Sequence, residues 1–266
     1  MDSNQGFVWH FFEGQRVIQD LAKLHSLKDS GFAYYRDLIL STLPVISLLK
    51  PGEQFGFYID SESPYFKFKV EAGYNGEFRT LLIPHDFNQF PDKFTGLARF
   101  MKILPKAKPY TSVVAVEQKP TAQIINDILR TSYQIQAQVN VSDLINQSLL
   151  VMKLPPASAQ SLKRDTSLSS YLNKNSSFIH DLFEHELNDI KKIVEYFELN
   201  KHMYMSSKEI LFYCPCSEEL MISNLKKLSA NDLDSILENE LSIDVKCDYC
   251  QKKYSISKSN LITKED

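Results

Sequence analysis

Cys214-Pro215-Cys216-Ser217 and, thirty residues further on, Cys247-Asp248-Tyr249-Cys250 contain every cysteine of this 266-residue chain. The 213 residues before them hold none. A Cys-x-Cys and a Cys-x-x-Cys pair each bring two sulfurs close enough to act as one bidentate clamp. Two clamps supply the soft ligands of a closed tetrahedral zinc site, with Cys214, Cys216, Cys247 and Cys250 in that role. The same spacing allows a second chemistry. Thiolates freed of metal can close into disulfides, readily in Cys-x-x-Cys and with more strain in Cys-x-Cys. The pattern leaves a permanent staple and a zinc-releasing switch both open.

Working outward, the stretch after Cys216 reads as helix, helix, strand, knuckle, strand. Ser217-Glu218-Glu219 has a capping serine with acids in the first turn, and Ser229 with Asp232 has the shape of a capping box. Ile243, Val245 and Cys247 alternate, as do Tyr254 and Ile256, which puts the second clamp at a hairpin tip. Upstream, Phe178 to Leu199 carries Leu182, Phe183, Leu187, Ile190, Val194 and Phe197 near helical spacing and is expected to form one amphipathic helix. Such a helix is marginal alone and needs a surface to dock on. Residues 157–178 hold seven serines and few large apolar groups, the composition of a linker.

The first 156 residues read as a mixed α+β domain. Phe66, Phe68 and Val70 alternate with Lys67, Lys69 and Glu71, a half-buried strand. Phe55, Phe57 and Ile59 mark its partner, joined through turn residues at Asp60–Pro64. Ser112 to Val116 is expected as a buried strand, while Phe7 to Phe12 fits strand or helix by periodicity and its aromatic density favours strand. Pro120 opens a helix with Ile124, Ile125, Ile128 and Leu129 on one side. Phe32 to Leu49 has helical periodicity that Pro44 should kink or end.

Composition narrows the function. With 43% hydrophobic and 12% aromatic residues there is material for a real core. Net charge is −3 at a pI near 6.1, and the segment from Ile210 onward is itself net acidic, so no nucleic-acid or membrane partner is expected. The start, Met-Asp-Ser-Asn-Gln, lacks a basic, apolar leader. The most apolar early stretch, Leu38 to Leu49, is broken by Ser41, Thr42, Pro44 and Ser47, far short of the ~20 residues that span a bilayer. The expected location is the cytoplasm, where thiols stay reduced and clustered cysteines read as metal ligands. His180 and His185 are five apart rather than at the i, i+4 spacing of a metalloprotease, so the six histidines read as solvated or linker residues and Glu184 and Glu186 as helix surface. No glycine-rich phosphate loop or serine nucleophile elbow occurs. Four sulfur ligands leave a zinc ion no open position, which argues against a hydrolase.

From Ser169 to Ile256 the chain resembles the C-terminal half of the heat-shock protein 33 family, the redox-regulated bacterial holdase chaperones. The resemblance rests on Cys214-Pro215-Cys216-Ser217, the helices around Leu220–Leu237, and Ile243-Asp244-Val245-Lys246-Cys247-Asp248-Tyr249-Cys250. Tyr110-Thr111-Ser112-Val113-Val114, Ile128 to Ile135 and Leu149 to Pro155 are more weakly similar to that family's N-terminal domain. Ser132-Tyr133-Gln134 departs from the family's Ser-Glu-Gln. The resemblance implies a non-enzymatic chaperone of three parts: an α+β N-terminal domain (1–156), a metastable helical linker (157–208) and a small C-terminal zinc-binding redox-switch module (209–266). It further implies that oxidation closes Cys214–Cys216 and Cys247–Cys250 disulfides, zinc leaves, the linker loses its dock, and exposed apolar surface captures unfolded client proteins. Activated members of the family dimerise, so a homodimer is expected in the oxidised state. A rival expectation from another class is a constitutive zinc-module adaptor binding a protein or RNA partner.

Overall fold

The computed structural model describes residues 1–63, 65–84, 94–155, 166–237 and 241–261. Its elements run β1 (Phe7–Glu13), α1 (Gln15–His25), α2 (Asp29–Thr42), a 3-10 turn at Leu43–Leu48, β2 (Gln54–Ser63), β3 (Tyr65–Gly73), β4 (Glu77–Ile83), β5 (Phe94–Ile103), β6 (Tyr110–Lys119), α3 (Thr121–Thr131), β7 (Ala137–Val141) and β8 (Gln147–Lys153). Three helices follow, α4 (Leu168–Lys174), α5 (Ser176–Glu184) and α6 (Ile190–Leu199). The chain ends with β9 (Leu211–Phe212), α7 (Glu218–Leu225), α8 (Ala230–Leu237), β10 (Ser242–Lys246), β11 (Lys253–Ser257) and α9 (Lys258–Leu261). The fold is α+β, as expected.

A six-stranded sheet in the order β6-β5-β2-β3-β4-β9 forms the main wall. The alternation in β2 and β3 does its work here. Phe55, Phe57 and Ile59 pair with the strand carrying Phe66, Phe68 and Val70, and all six are buried against α2 and α3. The hairpin is tighter than the turn residues suggested, because β2 continues through Asp60 to Ser63 and pairs Glu62 with Tyr65. Pro64 itself lies outside the described residues. Helix α2 stops at Thr42, since Pro44 has no N–H to give the carbonyl one turn back. The proline instead opens the 3-10 turn.

A second, three-stranded sheet has the order β1-β8-β7, with Trp9 opposite Val151 and Phe11 opposite Leu149. Its strands have two apolar faces. Phe12, Leu150 and Val139 join the main core, while Phe7, Trp9, Leu149 and Val151 point the other way. That outer face is covered by the linker, through Tyr171 and Leu172 of α4, Leu182 of α5, and Leu187. Tyr171 stacks on Phe7 at 3.7 Å and accepts a hydrogen bond from Trp9 Nε1 at 2.9 Å. Both its ring and its hydroxyl are used.

The linker differs from expectation in two ways. The single helix over Phe178–Leu199 is two, broken at His185–Asp189, because Asp189 caps α6 by accepting from the N–H groups of Lys191 and Lys192. The apolar spacing survives the break since Leu187 is buried within it. The serine-rich stretch is also partly structured. Ser167 caps α4, which contains Ser169 and Ser170, while residues 156–165 lie outside the described residues. Among the described residues no helix is long and apolar enough to cross a membrane.

The histidines need correction. His180 and His185 are indeed solvated, and His85 lies outside the described residues. His25, however, is buried beside Thr80 with Nε2 to Oγ1 at 3.0 Å. His202 is 8% exposed, held among Trp9, Phe178 and Phe197 at ring distances of 4.8, 5.3 and 5.7 Å. Burial, reinforced by the Met1 ammonium and opposed by Asp2, holds the His202 pKa below its ordinary value. Burial and the same ammonium pull His10 down to about 4. His202, packed on Phe178 and Phe197, is a neutral base while the linker is docked, whereas an exposed histidine titrates near ~6.5. Docking is therefore at full strength above the ordinary value and weakens as pH falls through it. We expect the emission of Trp9, the only tryptophan, to shift to the red between pH 7.5 and 5.5 in reduced protein. His202→Phe should flatten that profile; an unchanged profile in the variant would assign the effect elsewhere.

Candidate metal centre

The two clamps are built by different local devices. Cys247 directly follows β10, its N–H donating to Lys252 O at 2.9 Å while its carbonyl accepts from Gln251 N at 2.8 Å. That closes a knuckle around Cys250, with Gln251 in the left-handed region at φ 61°. Cys214 and Cys216 lie between β9 and α7, fixed by Ser217, whose hydroxyl caps α7 at Leu220 N. A small core of Leu237, Tyr254, Ile256 and Leu261, flanked by Met221, Leu225 and Ile243, holds helices and hairpin together.

These devices bring all four predicted residues to one point. Their Sγ atoms lie within 4.8 Å of one another, with Cys214–Cys247 at 3.7 Å and Cys216–Cys250 at 3.2 Å. All four are free thiols. Tetrahedral zinc with Zn–S near ~2.3 Å separates its sulfurs by about 3.8 Å, so the donor set and its spacing fit that ion. Cys247 is buried and the other three partly so.

The electrostatics are divided. Burial pushes the Cys214 thiol up, as does its sharing of protons with Cys216 and Cys247. Burial likewise takes Cys250 up to about 11. Burial also acts against ionisation of Cys216, but hydrogen bonds from Tyr254 and from the neighbouring thiols outweigh it and bring that group down to about 7. The Tyr254 hydroxyl lies 3.0 Å from Cys216 Sγ. Thiolates this close repel one another, and a divalent cation held between them would offset that repulsion.

The module is seated on the main sheet at two places. β9 adds to the edge of β4 in parallel, Leu211 beside Glu77 and Phe212 beside Phe78. Beyond it, the Arg79 guanidinium lies 4.2 Å from the centre of the Tyr249 ring, which sits inside the Cys-x-x-Cys knuckle. Arg79 is itself held by Glu71 at 2.6 Å, and Glu71 accepts from the Tyr58 hydroxyl at 3.1 Å. Neither seat was visible in the sequence. Arg79 and Tyr249 are 170 positions apart, and a two-residue strand has no periodicity to read. Tyr254 could have been suspected, because hairpin alternation places it beside the clamp.

A family model described as Hsp33 protein matches residues 1–257. The 33 kDa chaperonin of Aquifex aeolicus is 24% identical over 94% of this chain and 83% of its own. That of Acholeplasma laidlawii is 23% identical over 92% of this chain and 89% of its own. The crystal structure of the 33 kDa chaperonin from Thermotoga maritima superposes with a TM-score of 0.76, at 17% identity, over 96% of this chain and 92% of that one. With the family's sequence pattern extending over nearly its whole length, this chain belongs to the Hsp33 family.

Proposed function

We propose that this protein is an oxidation-activated holdase chaperone, divided into a client-binding domain (1–156), a releasable linker (157–208) and a zinc-bound redox module (209–266). The observation that carries the reading is the outer face of the β1-β8-β7 sheet. Phe7, Trp9, Leu149 and Val151 are buried there only because three short linker helices lie over them. From α6 the chain passes through residues 200–210 and β9 into Cys214. An apolar face whose cover is tethered to a metal cluster is the arrangement a conditional chaperone needs.

Cys214, Cys216, Cys247 and Cys250 are the proposed zinc ligands. Bound there, zinc would contribute about 10–16 kcal/mol to the folding of a module with a small core. Oxidation of the thiolates to Cys214–Cys216 and Cys247–Cys250 disulfides removes the ligands, passing two electrons per disulfide to a peroxide that becomes water. Without its metal the module unfolds, β9 is no longer held at the sheet, and the linker comes away. The exposed face then binds unfolding proteins without turning them over, so the function is capture rather than catalysis. Free thiols in this role require a reducing compartment, in keeping with a cytoplasmic protein.

The test is an oxidant titration. Reduced protein receives peroxide with mild heat while zinc release, free-thiol count and suppression of citrate synthase aggregation are followed together. We expect one zinc and four thiols to be lost per chain as protection appears. Equal protection before and after oxidation would end the reading, and loss of a partner's binding on chelation alone would favour an adaptor.

A further inference from the structure

β9 is the only parallel partner in a sheet that is otherwise antiparallel among the described residues, and it is two residues long. Its ladder consists of Leu211 N–H donating to Gly76 O at 3.0 Å and Tyr213 N–H donating to Phe78 O at 2.8 Å. Phe212 stands edge-on to Phe78 at 5.8 Å. Leu211 and Tyr213 are 42% and 52% exposed, while Ile210 and Phe212 between and beside them pack on the main core, so the segment is only half absorbed into the sheet. A strand this short does not hold itself in place. Ile210 and Phe212 on the core and Lys208 over the Tyr74 ring at 3.7 Å hold it on one side, and its tether to the folded module with the second seat at Arg79 and Tyr249 holds it on the other.

The receiving surface is shaped for a backbone. Gly76 turns the chain into β4 at φ 92°, and a Cβ on it would fall 2.1 Å from the Glu209 carbonyl oxygen. The approach is that close only because the side chain is absent. An unoccupied strand edge is a template for another extended chain, and proteins normally keep such edges covered. Here the cover is made of an apolar-aromatic tripeptide, Leu211-Phe212-Tyr213, the kind of segment that an unfolded protein exposes.

We infer that β9 is an internal stand-in for client backbone. Once the module lets go, the end of β4 at Gly76–Arg79 accepts an extended apolar-aromatic segment of an unfolding protein by strand addition. Main-chain hydrogen bonds give this mode its tolerance of sequence, while the Phe78 ring edge and the freed Arg79 guanidinium face favour aromatic side chains. While tethered, β9 competes at an effective concentration in the millimolar range, which keeps the edge closed to dilute clients. The inference rests on the chaperone reading above and adds to it a site and a mode of capture.

The experiment uses full-length, reduced, zinc-loaded protein and heat-unfolding citrate synthase as probe. Leu211→Pro removes the N–H given to Gly76 and frees the edge while leaving the four cysteines untouched. Zinc content and a thermal melt establish that it is folded. We expect about a tenfold rise in client capture over the wild type. Adding Gly76→Ala places a methyl group where an incoming carbonyl must lie and should return capture to the wild-type level. No rise in Leu211→Pro, or an equal rise in the double variant, overturns the inference. So does a Leu211→Pro chain that elutes as a dimer and captures nothing, since a second copy would then be the occupant. Should Leu211→Pro lose its metal, Phe212→Ala carries the same comparison with the backbone intact. Oxidised wild type that captures no client would count against the chaperone reading, whereas the paired variants decide the edge.

Discussion

Cys247→Ser is expected to give a chain that holds well under one zinc and captures unfolding protein without any oxidant. Cys247 is the buried member of the four, lying 3.7 Å from Cys214, and a serine hydroxyl is a poor ligand for a soft site. The energies are of a size to decide the outcome. Structural zinc contributes about 10–16 kcal/mol to small modules, while a whole domain is stable by only ~5–15 kcal/mol. The core left behind is a handful of side chains around Leu237, Tyr254 and Ile256. With the knuckle undone, Tyr249 leaves Arg79 and β9 loses its anchor. Zinc by atomic absorption and citrate synthase protection, both in reductant, make the measurement. A zinc-free variant that remains compact and inert would separate the metal from the switch and sink the mechanism.

What could be read from the chain alone followed from how local each feature is. The gathering of the four cysteines was legible because each clamp is built within four positions, the first with its capping Ser217 beside it. The β2–β3 hairpin was legible because alternation has a two-residue period and Phe55–Ile59 and Phe66–Val70 both keep it. The end of α2 at Pro44 follows from one missing N–H. The break between α5 and α6 was missed for the opposite reason. Leu187 keeps the apolar spacing across it, and only the short Asn188-Asp189 cap signal marks the stop. His25 and His202 were misjudged because histidine has no periodicity of its own, and their burial comes from Thr80 and from Trp9 with Phe178, residues far away in sequence. The two seats of the module, Arg79 on Tyr249 and β9 on β4, are likewise tertiary. Arg79 carried no signal in the sequence, and its role appears only once the knuckle is folded over it.

Trp9→Ala tests the other half of the device, and its expected effect is nearly as large. Trp9 touches every part of the linker. Its ring lies 6.0 Å from Tyr171 of α4, 5.3 Å from Phe178 of α5, 6.4 Å from Phe197 of α6 and 4.8 Å from His202 beyond it. Its Nε1–H supplies the hydrogen bond to a Tyr171 hydroxyl that also donates to Asp2 at 3.0 Å. Truncating a buried tryptophan costs about 3–5 kcal/mol. Trp9 is the one side chain shared by all these contacts: α6 buries no residue fully, and the remaining cover rests on Tyr171, Leu172, Leu182 and Leu187. Trp9 sits on β1, in a sheet separate from the metal module, so zinc should stay bound. We therefore expect reduced, zinc-loaded Trp9→Ala to protect citrate synthase at close to the level of oxidised wild type, and to be cut by trypsin at Lys191, Lys192 or Lys201. Trp9→Phe keeps a ring but loses the donor, and should cost only about 1 kcal/mol with a small rise in capture. If Trp9→Ala keeps its linker resistant to trypsin and stays inert until oxidised, the covered aromatic face is ordinary core, and the capture surface lies elsewhere on the molecule.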